Sequence, residues 1–316
     1  MYLNLLLLAQ EAAHGAAEAQ REGFDAGSTI IEHVSNSPID HPLIHLPHIF
    51  GIDFSVTKHV FMLWLVAAIV FVLVTFTVRR YLKQDRLIPS GFMNALEAVV
   101  EFIRDSIVQP NVGRKWVLTW SPLILTFFFF ILTANAMGLI PLFDFVGMMD
   151  RFVIHSSPET FLYKVIHGGT TATANFNVTA ALATITFGAI ILAGSLAHGF
   201  VQHWKNLVPH GLSPVLYVIL IPIEVIGMFV RPFALTMRLA ANMTGGHIAI
   251  LAILSFVFLF TEMFKSHIAG IGVGFLVSMP LAVAISALEI IVVLVQAYVF
   301  TLLTAVFIGM AIHVHH

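Results

Sequence analysis

Long apolar runs dominate the chain, and their lengths assign most of its elements. The first, His59 to Val78, carries no Asp, Glu, Lys or Arg and ends at Arg79, Arg80, Lys83 and Arg86. About 20 apolar residues are enough for an α-helix to cross a hydrocarbon core of roughly 30 Å. Residues 90 to 111 read differently. There Phe92, Leu96, Val99, Val100 and Ile103 recur at helical spacing among Glu97, Glu101, Arg104 and Asp105, which predicts an amphipathic helix lying on the membrane surface. A second span runs from about Trp116 to Ile140, and a third from about Asn177 to Val201. Between them lies a loop to about Ala174 with Pro141, Pro158 and the run Gly168 to Thr173.

Two further apolar stretches, about Ser213 to Thr261 and Ile268 to His313, are each too long to stand upright. At 1.5 Å per residue a continuous helix of that length would measure roughly 70 Å. No polar loop divides either stretch, and Pro222, Pro232 and Pro280 offer kinks rather than exits. The pattern therefore predicts an all-α polytopic membrane protein. It has three upright transmembrane helices, one surface amphipathic helix, and a C-terminal hairpin over 213–313 of two long, strongly tilted membrane-embedded helices. Tilt on that scale needs a protein partner to lie against. No internal repeat of the kind that builds secondary transporters is evident.

Composition agrees with this reading: 59% of the 316 residues are hydrophobic and only 10% are charged. A net charge of -2 argues against nucleic acid as a partner, which calls for a concentrated basic face. The absence of cysteine excludes disulfides, thiolate chemistry and Cys-ligated metal. Seven cations separate the first two spans (Arg79, Arg80, Lys83, Arg86, Arg104, Arg114 and Lys115), and the positive-inside rule assigns that segment to the cytoplasm. The N-terminus is then outside and the C-terminus, after five crossings, inside.

Residues 1–55 form a soluble external arm ahead of the membrane domain, 56–316. The arm begins with MYLNLLLLAQEAAHGAA, a short apolar run followed by small residues; no Lys or Arg precedes the run, so a cleaved leader is the weaker reading. Its His41, His45 and His48 are interrupted by Pro42 and Pro47 and make a poor metal site. No Walker A loop is present, so nucleotide chemistry is not expected on this chain.

Ionisable groups in a bilayer are costly and count as functional candidates. The C-terminal stretches carry Glu224, Arg231, Arg238, His247 and Glu289, with Asn242 and Gln296 as neutral company. At about 100° per residue, Glu224, Arg231, Arg238 and Asn242 share one helical stripe, and Glu289 and Gln296 share a face of the last helix. His247 falls opposite the stripe and joins the group only if Thr244, Gly245 and Gly246 distort the helix or the neighbouring helix lies on that side. The simplest alternatives are a structural ion pair for Arg238 and interhelical hydrogen bonding for Asn242 and Gln296.

The run RPFALTMRLAANMTGGH, Arg231 to His247, together with EIIVVLVQAYVFTLL, Glu289 to Leu303, closely resembles the C-terminal hairpin of subunit a of F-type ATP synthases. ANAMGLIP at 134 to 141 and NFNVTAALA at 175 to 183 extend the resemblance more loosely, so that it covers about 115 to 310. It implies a proton-translocating stator subunit in an energy-coupling membrane, most simply the bacterial plasma membrane, with the c-ring and peripheral-stalk b subunits as partners and no cofactor. Arg238 then corresponds to the stator arginine that faces each passing c-ring carboxylate and prevents a short circuit. Glu224 corresponds to the cytoplasmic-side half-channel, and His247 and Glu289 to the external-side one. Asn242 and Gln296 fall beside the arginine. If Gln296 lies opposite Arg238 in an antiparallel hairpin, the residue facing His247 is close to Glu289.

Many bacterial members have Glu and His in the reverse order at these two positions, a swap that keeps the pair. Arg231 stands where others carry Lys or a neutral residue, and the simplest expectation is that it snorkels toward the cytoplasmic surface. A sodium-coupled member of the family and a self-contained ion channel or transporter are the alternatives.

Overall fold

A computed structural model describes residues 27, 55–83, 91–139, 171–205 and 214–313. The N-terminal arm with its histidines, and the loop between the second and third spans, lie outside the described residues apart from Gly27, Ser55 and the end of the loop.

The described residues are helical wherever the hydropathy pattern asks for a span. Helix α1 (Lys58–Leu82) is the first, closing on Arg79 and Arg80, whose charges suit both a helix C-terminus and the membrane interface. Helix α2 (Phe92–Phe102) begins the segment expected at the membrane surface and continues through a π-helical turn, Ile103–Val108, into the short α3 (Gln109–Val112). Helix α4 (Val117–Leu139) is the second span and α5 (Phe176–His198) the third. The Asn175 side chain caps α5, its Oδ1 accepting from the Asn177 backbone N–H at 2.8 Å.

The third span ends earlier than hydropathy predicts. Gly199 adopts φ +88°, a left-handed conformation that only glycine takes without strain, and starts a separate short helix, α6 (Phe200–Lys205). Apolar Phe200 and Val201 therefore continue the hydropathy signal beyond the end of the helix.

Helix α7 (Pro214–Phe264) is 51 residues long and passes unbroken through Pro222, Pro232 and the Thr244–Gly246 segment. After it come α8 (His267–Val273), a π-helical turn at Gly274–Ser278, and α9 (Met279–Ile312). Five helical stretches are long and apolar enough to cross a membrane: Lys58–Leu82, Val117–Leu139, Phe176–His198, Leu216–Phe264 and Gly270–Ile312. The chain is thus a multi-pass α-helical membrane protein.

Two compact units divide the described residues: Gly27 and Gly245–Leu288 belong to one, and the described segments from Ser55 to Thr244 and from Glu289 onward to the other. In the larger unit, Ile103, Ile107 and Val112 of the surface segment pack with Ile124 of α4, Ala193 of α5 and Ile308 of α9. A second cluster joins Phe127 and Ile131 of α4 to Leu182, Leu235, Leu239, Ala297 and Phe300. The Phe127 ring meets Phe300 edge-on at 5.5 Å within this cluster. A third cluster seats Met62 and Val66 of α1 on Ala134 and Met137.

Lipid tails are as apolar as these side chains, so close fit and internal hydrogen bonds hold such helices together more than exclusion of water does. Gly309 of α9 shows how close that fit is, because a Cβ there would overlap the backbone carbonyl of Asn111 in the surface segment. In the smaller unit Gly270 and Gly274 approach Thr261 and Val257 of α7 in the same way.

Candidate functional site

The polar stripe predicted on α7 is present, and its residues divide into two kinds. Glu224 and Arg231 pair within the chain: the Arg231 Nη2 donates to Glu224 Oε1 at 3.2 Å, with both side chains about one-third exposed. The Arg231 guanidinium also lies 5.7 Å from the centroid of the Phe307 ring on α9. Arg231 is therefore held by two contacts within the chain.

Arg238, two turns further along α7, is exposed, and no described residue forms an ion pair or hydrogen bond with it. The residues beneath it, Leu235 and Leu239, are fully buried against α4 and α9. Burial on one side and exposure on the other fix which way this part of α7 faces.

Asn242 Nδ2 donates to Gln296 Oε1 at 3.0 Å, linking α7 to α9. Gln296 thus meets Asn242 instead of Arg238, a shift of four residues from the predicted register, or about one turn. The contact of Arg231 with Phe307 follows the same antiparallel register. Gln296 is buried while Asn242 is exposed, so the amide pair runs from the interior to the stripe.

Glu289 is 6% exposed, and neither carboxylate oxygen has a hydrogen-bond partner. Such a group in an apolar setting is costly to leave ionised. His247 is half-buried and belongs to the smaller unit, whereas Glu289 belongs to the larger. The helix runs unbroken through Thr244–Gly246, so distortion there, one of the two conditions under which His247 would join the group, is not met. Thr244 instead donates through Oγ1 to the Ala174 carbonyl at 3.3 Å, tying α7 to the start of α5. No group of three or more metal-ligating side chains occurs among the described residues.

Sequence reasoning missed buried polar contacts between helices, of which one lies close to the motif segments. Thr173 Oγ1 donates to Asn135 Oδ1 at 2.5 Å, with both residues fully buried. Both lie in or next to the looser motif segments ANAMGLIP and NFNVTAALA, which could have pointed to them.

Fold and site together define a polytopic helical membrane protein that keeps a fixed cation and several carboxylates within its apolar helices. The ATP synthase A chain family matches residues 60–309, and the chain belongs to that family. It is 41% identical to ATP synthase subunit a 2 of Chlorobium luteolum over 311 residues, 96% of this chain and 80% of that one. ATP synthase subunit a of Chlorobium phaeobacteroides is 39% identical over 310 residues, again 96% and 80%. That of Anaeromyxobacter dehalogenans is 35% identical over 334 residues, 98% and 76%. Such coverage takes in much of the arm before residue 55, which the motif resemblance alone did not reach.

Proposed function

We propose that this chain is the proton-translocating stator subunit of a rotary ATP synthase, working against a c-ring. Arg238 carries the proposal: a guanidinium exposed on a long apolar helix with no partner among the described residues. A charge near the bilayer centre costs about 2.5–3.5 kcal/mol on insertion scales, so it persists where a partner offsets that cost. A carboxylate presented by a neighbouring subunit is the complementary group.

Guanidinium stays protonated in any accessible site, so Arg238 attracts an ionised carboxylate without relaying its proton. Protons arrive from outside past His247 and Glu289 and neutralise a c-ring carboxylate. The neutral carboxyl then travels through lipid for nearly a full turn. On meeting Arg238 it ionises, and its proton leaves toward the cytoplasm by way of Glu224. The drive is the membrane potential and pH gradient, about 2.3 kcal/mol per charge per 100 mV.

Asn242 and Gln296 hold α7 and α9 together beside the arginine. A titratable His247 and Glu289 favour protons over sodium, because imidazole exchanges protons near neutral pH. The b subunits of the peripheral stalk keep the stator from turning with the ring, and ATP chemistry takes place on other subunits. In a bacterial plasma membrane the N-terminus is external and the C-terminus cytoplasmic.

The chain has no cysteine, so single introduced thiols report cleanly. Ala234 and Ala241 flank Arg238 and are exposed, whereas Leu235 is buried. Ala234→Cys and Ala241→Cys should form disulfides with cysteines placed next to the c-ring carboxylate, and Leu235→Cys should not. Equal cross-linking at all three, or at none in an assembled complex, would contradict the proposed face. Purified chain alone in liposomes should not conduct protons, and selective conduction would favour a self-contained channel instead.

A further inference from the structure

The α7 stripe carries two arginines two turns apart, and the contacts around them differ. Arg238 is exposed and has no ion-pair partner among the described residues. Arg231 is bonded to Glu224 at 3.2 Å and lies 5.7 Å from the centre of the Phe307 ring. We infer that Arg231 is a positioning residue for proton transfer: it holds Glu224 in the cytoplasmic-side path, while Glu224 and Phe307 hold Arg231 away from the c-ring. This inference rests on the proposed stator function and deepens it by giving the second cation a role.

Three physical points support it. First, Glu224 and Arg231 are seven residues apart on one helix, two turns along the same face, so the helix itself sets the reach of the pair. Second, the Phe307 ring comes from a different helix, α9, and a cation beside an aromatic face gains electrostatic energy that a second free rotamer would forfeit. Third, Arg231 and Arg238 are seven residues apart on α7 and fall on one stripe, with the buried Leu235 and Leu239 along one side of it. A free Arg231 would offer a passing carboxylate a second stopping point, whereas an Arg231 neutralised by Glu224 leaves Arg238 as the stopping point.

The pair therefore acts in both directions. Glu224 without Arg231 loses the group that orients its carboxylate. Arg231 without Glu224 becomes a competing stator cation. A cation that only decorated the membrane interface would show neither dependence.

The test is ATP-driven proton pumping in inverted membranes containing the whole complex, normalised to the amount of assembled chain. The variants are Arg231→Gln, Arg231→Lys, Glu224→Gln and the double variant Glu224→Gln/Arg231→Gln. Loss of one charge-assisted hydrogen bond corresponds to about a tenfold effect, so Arg231→Gln should slow pumping by about that factor. Arg231→Lys, which keeps a positive charge and a donor for the single bond to Glu224, should retain at least about half the rate.

The double variant should pump no more slowly than Glu224→Gln alone, because Glu224→Gln releases a cation that the second substitution removes. A double variant slower by the product of the two single effects would overturn the inference, as would wild-type pumping in Arg231→Gln with Glu224→Gln impaired. Wild-type pumping in Glu224→Gln would instead remove Glu224 from the path and sink the half-channel reading along with the inference. If Arg231→Gln does not assemble, Arg231→Lys decides: loss of pumping in an assembled Arg231→Lys complex overturns the role assigned to Arg231.

Discussion

Buried polar side chains set the most specific expectations at the scale of single residues. Asn242→Leu removes the donor to Gln296 and leaves a buried amide oxygen without it. Interhelical hydrogen bonds in membranes average about 0.6 kcal/mol and reach about 1.7, so the variant should unfold a few degrees earlier in detergent. An unchanged midpoint would show that Gln296 finds another donor.

His203 gives a pH dependence outside the spans. The fold-back at Gly199 buries it to 5% exposure, and Nε2 has no partner. Burial first, and then the neighbouring His198, pushes its pKa below the ordinary histidine value. Because the folded state disfavours the proton, this contribution to stability is full above the unfolded pKa of about 6.5. It is lost as pH falls through the lower folded value. The thermal midpoint in detergent should therefore drop between pH 7.5 and pH 5 by more in the parent protein than in His203→Phe, and parallel curves would contradict this.

Close backbone approach dominates at the scale of elements. Gly309→Ala would push α9 against the Asn111 carbonyl, a backbone atom that cannot turn aside. Overpacking of this kind costs typically 1–3 kcal/mol. Gly188→Ala in α5, where a Cβ meets nothing within 4 Å, should be tolerated. The comparison is read from thermal stability in detergent, and equal midpoints would show that α9 can slide on the surface segment at no cost.

Elements like these show how far a sequence can be read. Hydropathy places the spans within a few residues because a membrane crossing needs a long apolar run whatever its neighbours do. It overshoots at Gly199, where a left-handed glycine ends α5 inside an apolar stretch. It also misses both π-helical turns, Ile103–Val108 and Gly274–Ser278, which depend on packing and backbone hydrogen bonding that periodicity does not encode. Spacing groups Glu224, Arg231, Arg238 and Asn242 on one stripe because an unbroken helix fixes their angles. Which arginine is paired, and which residue meets Gln296, depends on the register between α7 and α9. A one-turn shift leaves each helix's own pattern unchanged, so the pattern could not choose between the two registers.

For the whole molecule, five spans and the basic segment between the first two predict, by the positive-inside rule, a cytoplasmic C-terminus. A fluorescent protein fused after His316 should be bright in cells, as expected for a cytoplasmic C-terminus, and a dark fusion to a stably inserted chain would reverse the assigned topology. Apolar residues of α7 such as Val218, Ile219 and Ile226 are exposed within this chain. Arg238 on that helix makes sense once a partner brings a carboxylate to it. The most direct test is ATP-driven proton pumping in membranes whose only change is Arg238→Ala, with copurification of the c-ring confirming assembly. Pumping should be abolished in the assembled complex. Normal pumping would contradict the stator mechanism and leave Arg238 a structural residue.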